Sequence, residues 1–255
     1  NELKDNVNYA QRIHAAVLQK PEELNQCFPD NFTYYSPHSV ISGDFYWFGK
    51  QRNKSLVCLG DSTGHGVSAG FISVMAIDKL RKYVEERAMT EPAGIVDELD
   101  HELRGILQGD KYVKDTIDMA FLSFDFRRKV MHYTGANRPV WVIRNGEIIE
   151  LAKQRFSIGE QQLEQSAVET EQFNLEPGDR VYAFSDGLTD QFGGAEGRKL
   201  GAKRFREFLL SSWDQPMPQQ KTMLQQLVND WRGERQQTDD ILVVGMHMSE
   251  ELFED

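Results

Sequence analysis

The sequence predicts an α+β fold built on antiparallel sheets. Strand-rich stretches flank helical stretches that come in pairs, hairpin turns dominate the connections, and aspartates sit at the tips of four apolar runs. A parallel nucleotide-binding sheet would instead alternate strand and helix throughout.

The elements follow in order. Residues 1–20 read as a helix, because Leu3, Val7, Ala10, Ile13 and Val17 recur at helical spacing and Pro21 stops the pattern. Its apolar stripe is thin, so it either packs on the domain or serves as a linker that carries a signal. Residues 31–61 hold strands. Asp44 opens the run Phe45-Tyr46-Trp47-Phe48, and Asp61 closes Leu56-Val57-Cys58-Leu59-Gly60. The polar stretch from Gly49 to Lys54 joins them as a hairpin loop, which places Asp44 and Asp61 together at the open end.

Residues 67–86 read as a helix with Phe71, Val74, Met75, Ile77, Leu80 and Val84 mostly on one face. Pro92 starts a second helix through Leu99, Leu103 and Leu107. Strands follow at 117–126, 129–133 and 140–144, and the Asn145-Gly146 turn leads into another at 147–151. Phe173 and Leu175 precede the turn Glu176-Pro177-Gly178-Asp179. The next strand, Val181 to Ser185, closes on Asp186. Residues 201–212 and 216–232 carry a helical pattern. Asp239 and Asp240 open the last strand, Ile241 to Met246. One strand ends at Asp186 and another begins at Asp239, so antiparallel pairing brings both to one edge. There is no internal repeat.

Composition narrows the function classes. The 255 residues suffice for one large domain or two small ones, and 40% hydrophobic residues supply a core. A net charge of −11 argues against nucleic acid or an anionic membrane as main partner. No apolar stretch approaches the roughly 20 residues of a membrane span, and no signal peptide is visible. The chain begins at Asn1 and not Met, which reads as a piece of a longer protein. Cys27 and Cys58 are unclustered, as expected in a reducing compartment, and Cys58 reads as core. The location expected is cytoplasmic, on its own or as the cytoplasmic part of a membrane-anchored protein.

Several carboxylates at one sheet edge repel each other unless a cation neutralises them. Hard divalent cations take oxygen ligands, so the pattern points to Mg²⁺ or Mn²⁺. The densest motif is Gly60-Asp61-Ser62-Thr63-Gly64-His65-Gly66, joining a strand to a helix. Gly64 and Gly66 let a ligand approach the backbone, and the Ser62 carbonyl is best placed as an extra ligand beside Asp61. The plainer reading is a glycine turn with Ser62 or Thr63 capping the helix. Ser42-Gly43-Asp44, Ser185-Asp186-Gly187 and Thr238-Asp239-Asp240 are each weak alone, and together far more specific.

These four motifs, with Gly135-Ala136-Asn137-Arg138-Pro139, resemble the signature of metal-dependent protein phosphatases of the 2C type. More closely, they resemble the bacterial branch that includes the sporulation stage-II and stress-response phosphatases. The resemblance covers roughly residues 30–248 and divides the chain into a linker helix, 1–20, and a phosphatase domain, 21–255. It implies an αββα sandwich: two antiparallel sheets face to face with helix pairs outside. It implies two Mn²⁺ or Mg²⁺ ions, with Asp61 bridging them, Asp186 and Asp239 on one, and Asp44 and the Ser62 carbonyl on the other. Asp240 then bonds ligands or metal waters. Catalysis falls to Asp61, Asp186 and Asp239, with His65 protonating the leaving oxygen or held by its loop in a supporting place. Gly64, Asn137 and Asp118 fall among substrate or supporting residues, Asp118 alternatively being a strand-end turn residue. Arg138 reads as solvated surface, with contact to a substrate phosphate as its sharper alternative. The Trp residues read as core or rim packing.

The resemblance further implies a phosphoserine or phosphothreonine substrate on a small regulatory protein of the anti-anti-sigma, STAS-like type. It implies an upstream sensor, HAMP or receiver module reached through the first helix. Because the Asp61 loop runs straight into the next helix, the first helix is expected to form a homodimer or dock in a signal-dependent way, and the 67–108 helix pair to shift the Ser62 carbonyl. Two departures concern loop geometry: Ser42 stands where a glycine is usual, and Val67-Ser68-Ala69-Gly70 follows Gly-His-Gly. A phosphatase-like module that only binds a partner is the alternative. A nucleotide cyclase fits poorly, since the later aspartate motifs do not suit it and no Gly-Lys-Ser/Thr loop exists.

Overall fold

The computed structural model describes residues 2–64, 66–107, 115–160 and 167–254. Two five-stranded antiparallel sheets form its centre. The first contains β2 (Asp44–Gln51), β3 (Lys54–Ser62), β4 (Ile117–Asp125), β5 (Val130–Ala136) and β8 (Glu171–Asn174), in that spatial order. The second runs β1 (Asn31–Ser36), β12 (Ile241–His247), β9 (Arg180–Phe184), β6 (Val140–Arg144), β7 (Glu147–Leu151).

The strand sequences explain the layering. Successive side chains on a strand point to opposite faces. Tyr46, Phe48, Val57, Leu59, Leu122 and Phe124 point inward and meet Val142, Val181, Leu242 and Val244 of the other sheet. Phe45, Trp47, Leu56, Cys58 and Phe121 point outward, under α2 (Val67–Arg81) and α3 (Pro92–Leu107). On the far side Trp141, Tyr182, Phe184 and Val243 pack beneath α5 (Gly201–Ser212) and α6 (Met217–Arg232). Strands covered on both faces must be apolar throughout, which is why these runs are continuous and not alternating. Each fully buried Leu, Val or Phe contributes about 1.5–3 kcal/mol of transfer free energy. The expected αββα sandwich is present. Cys58 is core, and Trp47 and Trp141 are buried.

Some local features differ from the sequence reading. Gly66 is the N-cap of α2, with no side-chain cap bond, so neither Ser62 nor Thr63 caps it. Ser62 is the last residue of β3, and its hydroxyl donates to the Gly43 and Ala69 carbonyls at 3.1 and 2.9 Å. Phe71 is 65% exposed and not on the packed face. The buried face is set by the small residues Ala69, Gly70, Ser73 and Ala76, which let neighbouring segments come close. α2 runs on into a π-helical turn, Lys82–Glu86. The short α4 (Gly187–Asp190) and the two-residue strands β10 (Phe192–Gly193) and β11 (Arg198–Lys199) carry too little periodicity to predict. Among the described residues no helix is long and apolar enough to cross a membrane.

α1 (Glu2–Val17) lies against α2. His14 is buried there, its Nε2 2.9 Å from the Ser73 hydroxyl, and Arg81 donates to the Val17 carbonyl at 3.1 Å. Tyr9 and Ile13, one turn apart, stay exposed. Burial lowers the His14 pKa from its ordinary 6.5, outweighing the opposite pull of Asp240. The docked state therefore holds fewer protons than the undocked one below that value. The His14 contribution is complete above about pH 6.5 and declines as pH falls through the lowered value. Hydrogen exchange in α1, corrected for the intrinsic pH dependence, is expected to be faster at pH 5.5 than at pH 7.5. A His14→Gln protein should lose that difference.

Candidate active site

The rim of the sandwich collects the acidic residues through strand register. Asp44 at the start of β2 is directly opposite Asp61 near the end of β3, and Asp61 is opposite Asp118 near the start of β4. The three carboxylates thus form one row across three strands. In the facing sheet β9 and β12 pair antiparallel, so the segment leaving Phe184 and the segment entering Ile241 emerge together. Those segments carry Asp186, Asp239 and Asp240.

Backbone approaches of glycine hold the two rims. A Cβ on Gly43 would lie 2.8 Å from the Ser62 hydroxyl and 2.9 Å from its carbonyl oxygen, so the Ser62 carbonyl abuts the Asp44 turn. A Cβ on Gly187 would lie 1.8 Å from the Asp240 carbonyl, so only glycine lets the Asp186 turn meet the Asp239–Asp240 segment. Asp240 accepts from the backbone N–H of His38 at 2.7 Å and of Gly43 at 2.8 Å. It is a buried brace that ties the second rim to the first. Ser185 completes the link: its hydroxyl donates to Asp44 at 2.6 Å and accepts from the Leu242 N–H at 3.0 Å.

Asp118 is not a turn residue. It lies within β4 and accepts from Ser157 at 2.6 Å and from the Asn137 amide at 3.3 Å. Asn137 adopts φ = 52° where the chain leaves β5, and it also bonds Ser157 at 2.9 Å. Gly64 has φ = 84° with open space around its Cα. His65 lies outside the described residues.

Arg138 departs from expectation. It is not solvated surface: its side chain is 8% exposed. One guanidinium nitrogen, Nη2, pairs with Asp61, with Asp186 at 3.1 Å and with Asp118 at 3.6 Å. Sequence reading missed this because nothing local marks an arginine after a strand as inward-facing. Ser157 was missed too, being a loop residue with no motif around it.

One cation does not balance these acids. Burial, then the Asp61 charge, raise the Asp44 pKa well above the ordinary carboxylate range, against the Ser185 bond. Burial pushes Asp61 up to about 7 although Arg138 opposes it, because Asp186, Asp239 and Asp118 add their repulsion. Asp239 is raised by burial as well, with Asp186 and Asp240 adding to it. Burial works against the Arg138 charge, yet Asp61, Asp186 and Asp118 together raise its pKa. The pair thus favours the arginine strongly and satisfies Asp61 only in part.

The donor chemistry, clustered carboxylates plus a backbone carbonyl, is that of a site for hard divalent cations. The excess of negative charge leaves a need for them. Among the described residues, no three His, Cys, Asp or Glu side chains are arranged to hold a common ion.

Comparison with known proteins agrees with this architecture. Residues 51–249 match the family model of Stage II sporulation protein E (SpoIIE). The chain is similar to the SiaA-PP2C domain of Pseudomonas aeruginosa, at 28% identity and a TM-score of 0.86, covering 96% of this chain and 97% of that one. It is similar to the PP2C phosphatase domain and regulatory-domain fragment of SpoIIE from Bacillus subtilis, at 18% identity and TM-score 0.67, covering 85% and 62%. It is also similar to the catalytic domain of the serine/threonine phosphatase PstP, solved with 2 manganese ions, at 13% identity and TM-score 0.63, covering 86% and 98%. The last two similarities speak for the fold. No curated protein sequence matches the chain.

The Ser185 link is open to test. Ser185→Ala leaves the buried Asp44 carboxylate without its hydroxyl donor, and a buried group left unsatisfied costs about 1–3 kcal/mol. Urea denaturation of the metal-free protein should show a loss in that range, with an unchanged m-value.

Proposed function

The chain belongs to the SpoIIE family of PP2C-type serine/threonine phosphatases, and from that membership we propose that it hydrolyses phosphoserine or phosphothreonine on a small regulatory protein. The observation that carries the reading is the carboxylate row Asp44–Asp61–Asp118 facing Asp186 and Asp239 across one rim. Manganese in the PstP structure supports the choice of ion.

In this reading Asp61, central in its row, would hold two Mn²⁺ or Mg²⁺ ions together with Asp186, Asp239, Asp44 and the Ser62 carbonyl. When bound, the ions supply Lewis-acid chemistry that activates water and offsets charge on the phosphoryl group. The protein supplies the rest. Ser185 fixes the orientation of Asp44, Asp240 locks the two rims in register, and Ser157 with Asn137 directs Asp118 toward Asp61. No side-chain nucleophile is required. His65, three residues after Ser62 in the sequence, is the residue assigned to protonate the leaving serine or threonine oxygen.

The site opens at the sandwich rim, which suits a phosphorylated segment presented by another protein. The substrate proposed is an anti-anti-sigma, STAS-like antagonist. α1 then joins the domain to an upstream sensor, HAMP or receiver module, and its exposed Tyr9 and Ile13 suit pairing with a second copy. A movement of α1 would reach Ser62 through α2. The location proposed is cytoplasmic. One observation favours the alternative, a non-catalytic module that binds a partner: Arg138 sits among the acids as a built-in cation.

Phosphate release from phosphorylated candidate partners separates the two. A phosphatase is expected to release phosphate with Mn²⁺, to stop in chelator and to recover when Mn²⁺ returns. Asp61→Asn and Asp186→Asn should each lower turnover by about 10³-fold, the scale of several kcal/mol of charge stabilisation. Retention of full activity by either variant would sink the assignment.

A further inference from the structure

Arg138 uses its guanidinium in an unusual way. A structural arginine spends its fork on several acceptors, and Arg144 of the same protein does so. Its Nε and Nη2 hold both oxygens of Asp179 at 2.8 and 2.7 Å, Nη1 holds Glu176 at 2.8 Å, and Nη2 also reaches the Asn174 carbonyl at 2.8 Å. Arg138 instead directs a single nitrogen at three carboxylates from both sheets, while its Nε is buried without a partner. Nη2 acts as a point charge at the centre of the cluster. The backbone around it is fixed: a Cβ on Gly135 would sit 2.4 Å from the Arg138 carbonyl, and Asn137 donates to Gln154 at 2.9 Å.

We propose that Arg138 is the counter-ion of the metal-free centre, holding Asp61, Asp118 and Asp186 together and competing with divalent ions for them. The inference rests on the phosphatase reading, since that reading assigns the ions to Asp61 and Asp186. Two features make the arginine displaceable. Its fork is poorly satisfied, so leaving costs less than it would for Arg144. The acids also outnumber it, so an ion of charge +2 neutralises them better than a guanidinium of charge +1. Displaced from Asp61, the long side chain swings toward the open rim. The device keeps the acids from flying apart before metal arrives, and it sets the metal concentration at which the centre fills.

The test is calorimetric titration of Mn²⁺ into the wild-type protein and Arg138→Gln, with melting curves in chelator. Competition predicts that Arg138→Gln binds Mn²⁺ roughly 10- to 100-fold more tightly, the worth of a charged hydrogen bond. It should also melt lower than wild type without metal and recover most of the gap when saturated. Equal or weaker Mn²⁺ binding by the variant overturns the inference and makes Arg138 a permanent brace, leaving the phosphatase reading intact. Failure of the wild-type protein to bind Mn²⁺ overturns both. A measurement on the wild type guards against a variant that does not fold. The Arg138 Nε–H resonance, protected from exchange in chelator, is expected to exchange with water as Mg²⁺ is titrated. Unchanged protection at saturation overturns the inference.

Discussion

Repulsion among carboxylates crowded at one rim is the constraint around which this molecule is organised. Asp44, Asp61 and Asp118 are consecutive in one cross-strand row, where like charges directly opposite destabilise a sheet. Asp186 and Asp239 face them from the second sheet. No sheet would adopt that row for stability alone. It persists because the rest of the sandwich over-determines it: the inter-sheet core fixes the distance between the rims, and the Asp240 and Ser185 hydrogen bonds fix their register. Strain held at a site by a well-packed surround is the signature of a functional centre.

The hairpin was legible in the sequence, and with it the meeting of Asp44 and Asp61 at its open end. The register that sets them directly opposite was not, because Gly49–Gln51 and Lys54 belong to the strands and the turn is only Arg52-Asn53. Asp118 opposite Asp61 did not follow, since β3 and β4 are separated by a helix pair and sequence distance carries no register. Arg138 and Ser157 were illegible for a related reason. Each acquires its role from residues far along the chain, and neither sits in a periodic segment. Phe71 misled because helical spacing reports which side of a helix is apolar, not which side finds a partner. Gly70 and Ser73 give the closer approach, and Ile41 and His14 fill it.

Charge is also segregated along the strands. The hairpin tips remote from the acidic rim carry Lys50, Arg52 and Lys54 between β2 and β3, and Arg127, Arg128 and Lys129 between β4 and β5. The acids of the rim therefore stand apart from most of the cations of their own sheet, and among the described residues Arg138 is a cation in direct contact with them.

That separation bears on the order of events in the proposed reaction. A phosphomonoester is itself doubly charged near neutral pH. It approaches a rim where several carboxylates face one guanidinium, and at the 4 Å scale of such contacts like charges cost on the order of 1–4 kcal/mol each. The metal-free centre therefore disfavours substrate as well as turnover. Two divalent ions, bound as proposed, would neutralise most of that charge and, on the competition proposed for Arg138, would release a guanidinium toward incoming phosphate. Metal loading would then govern substrate capture as well as chemistry.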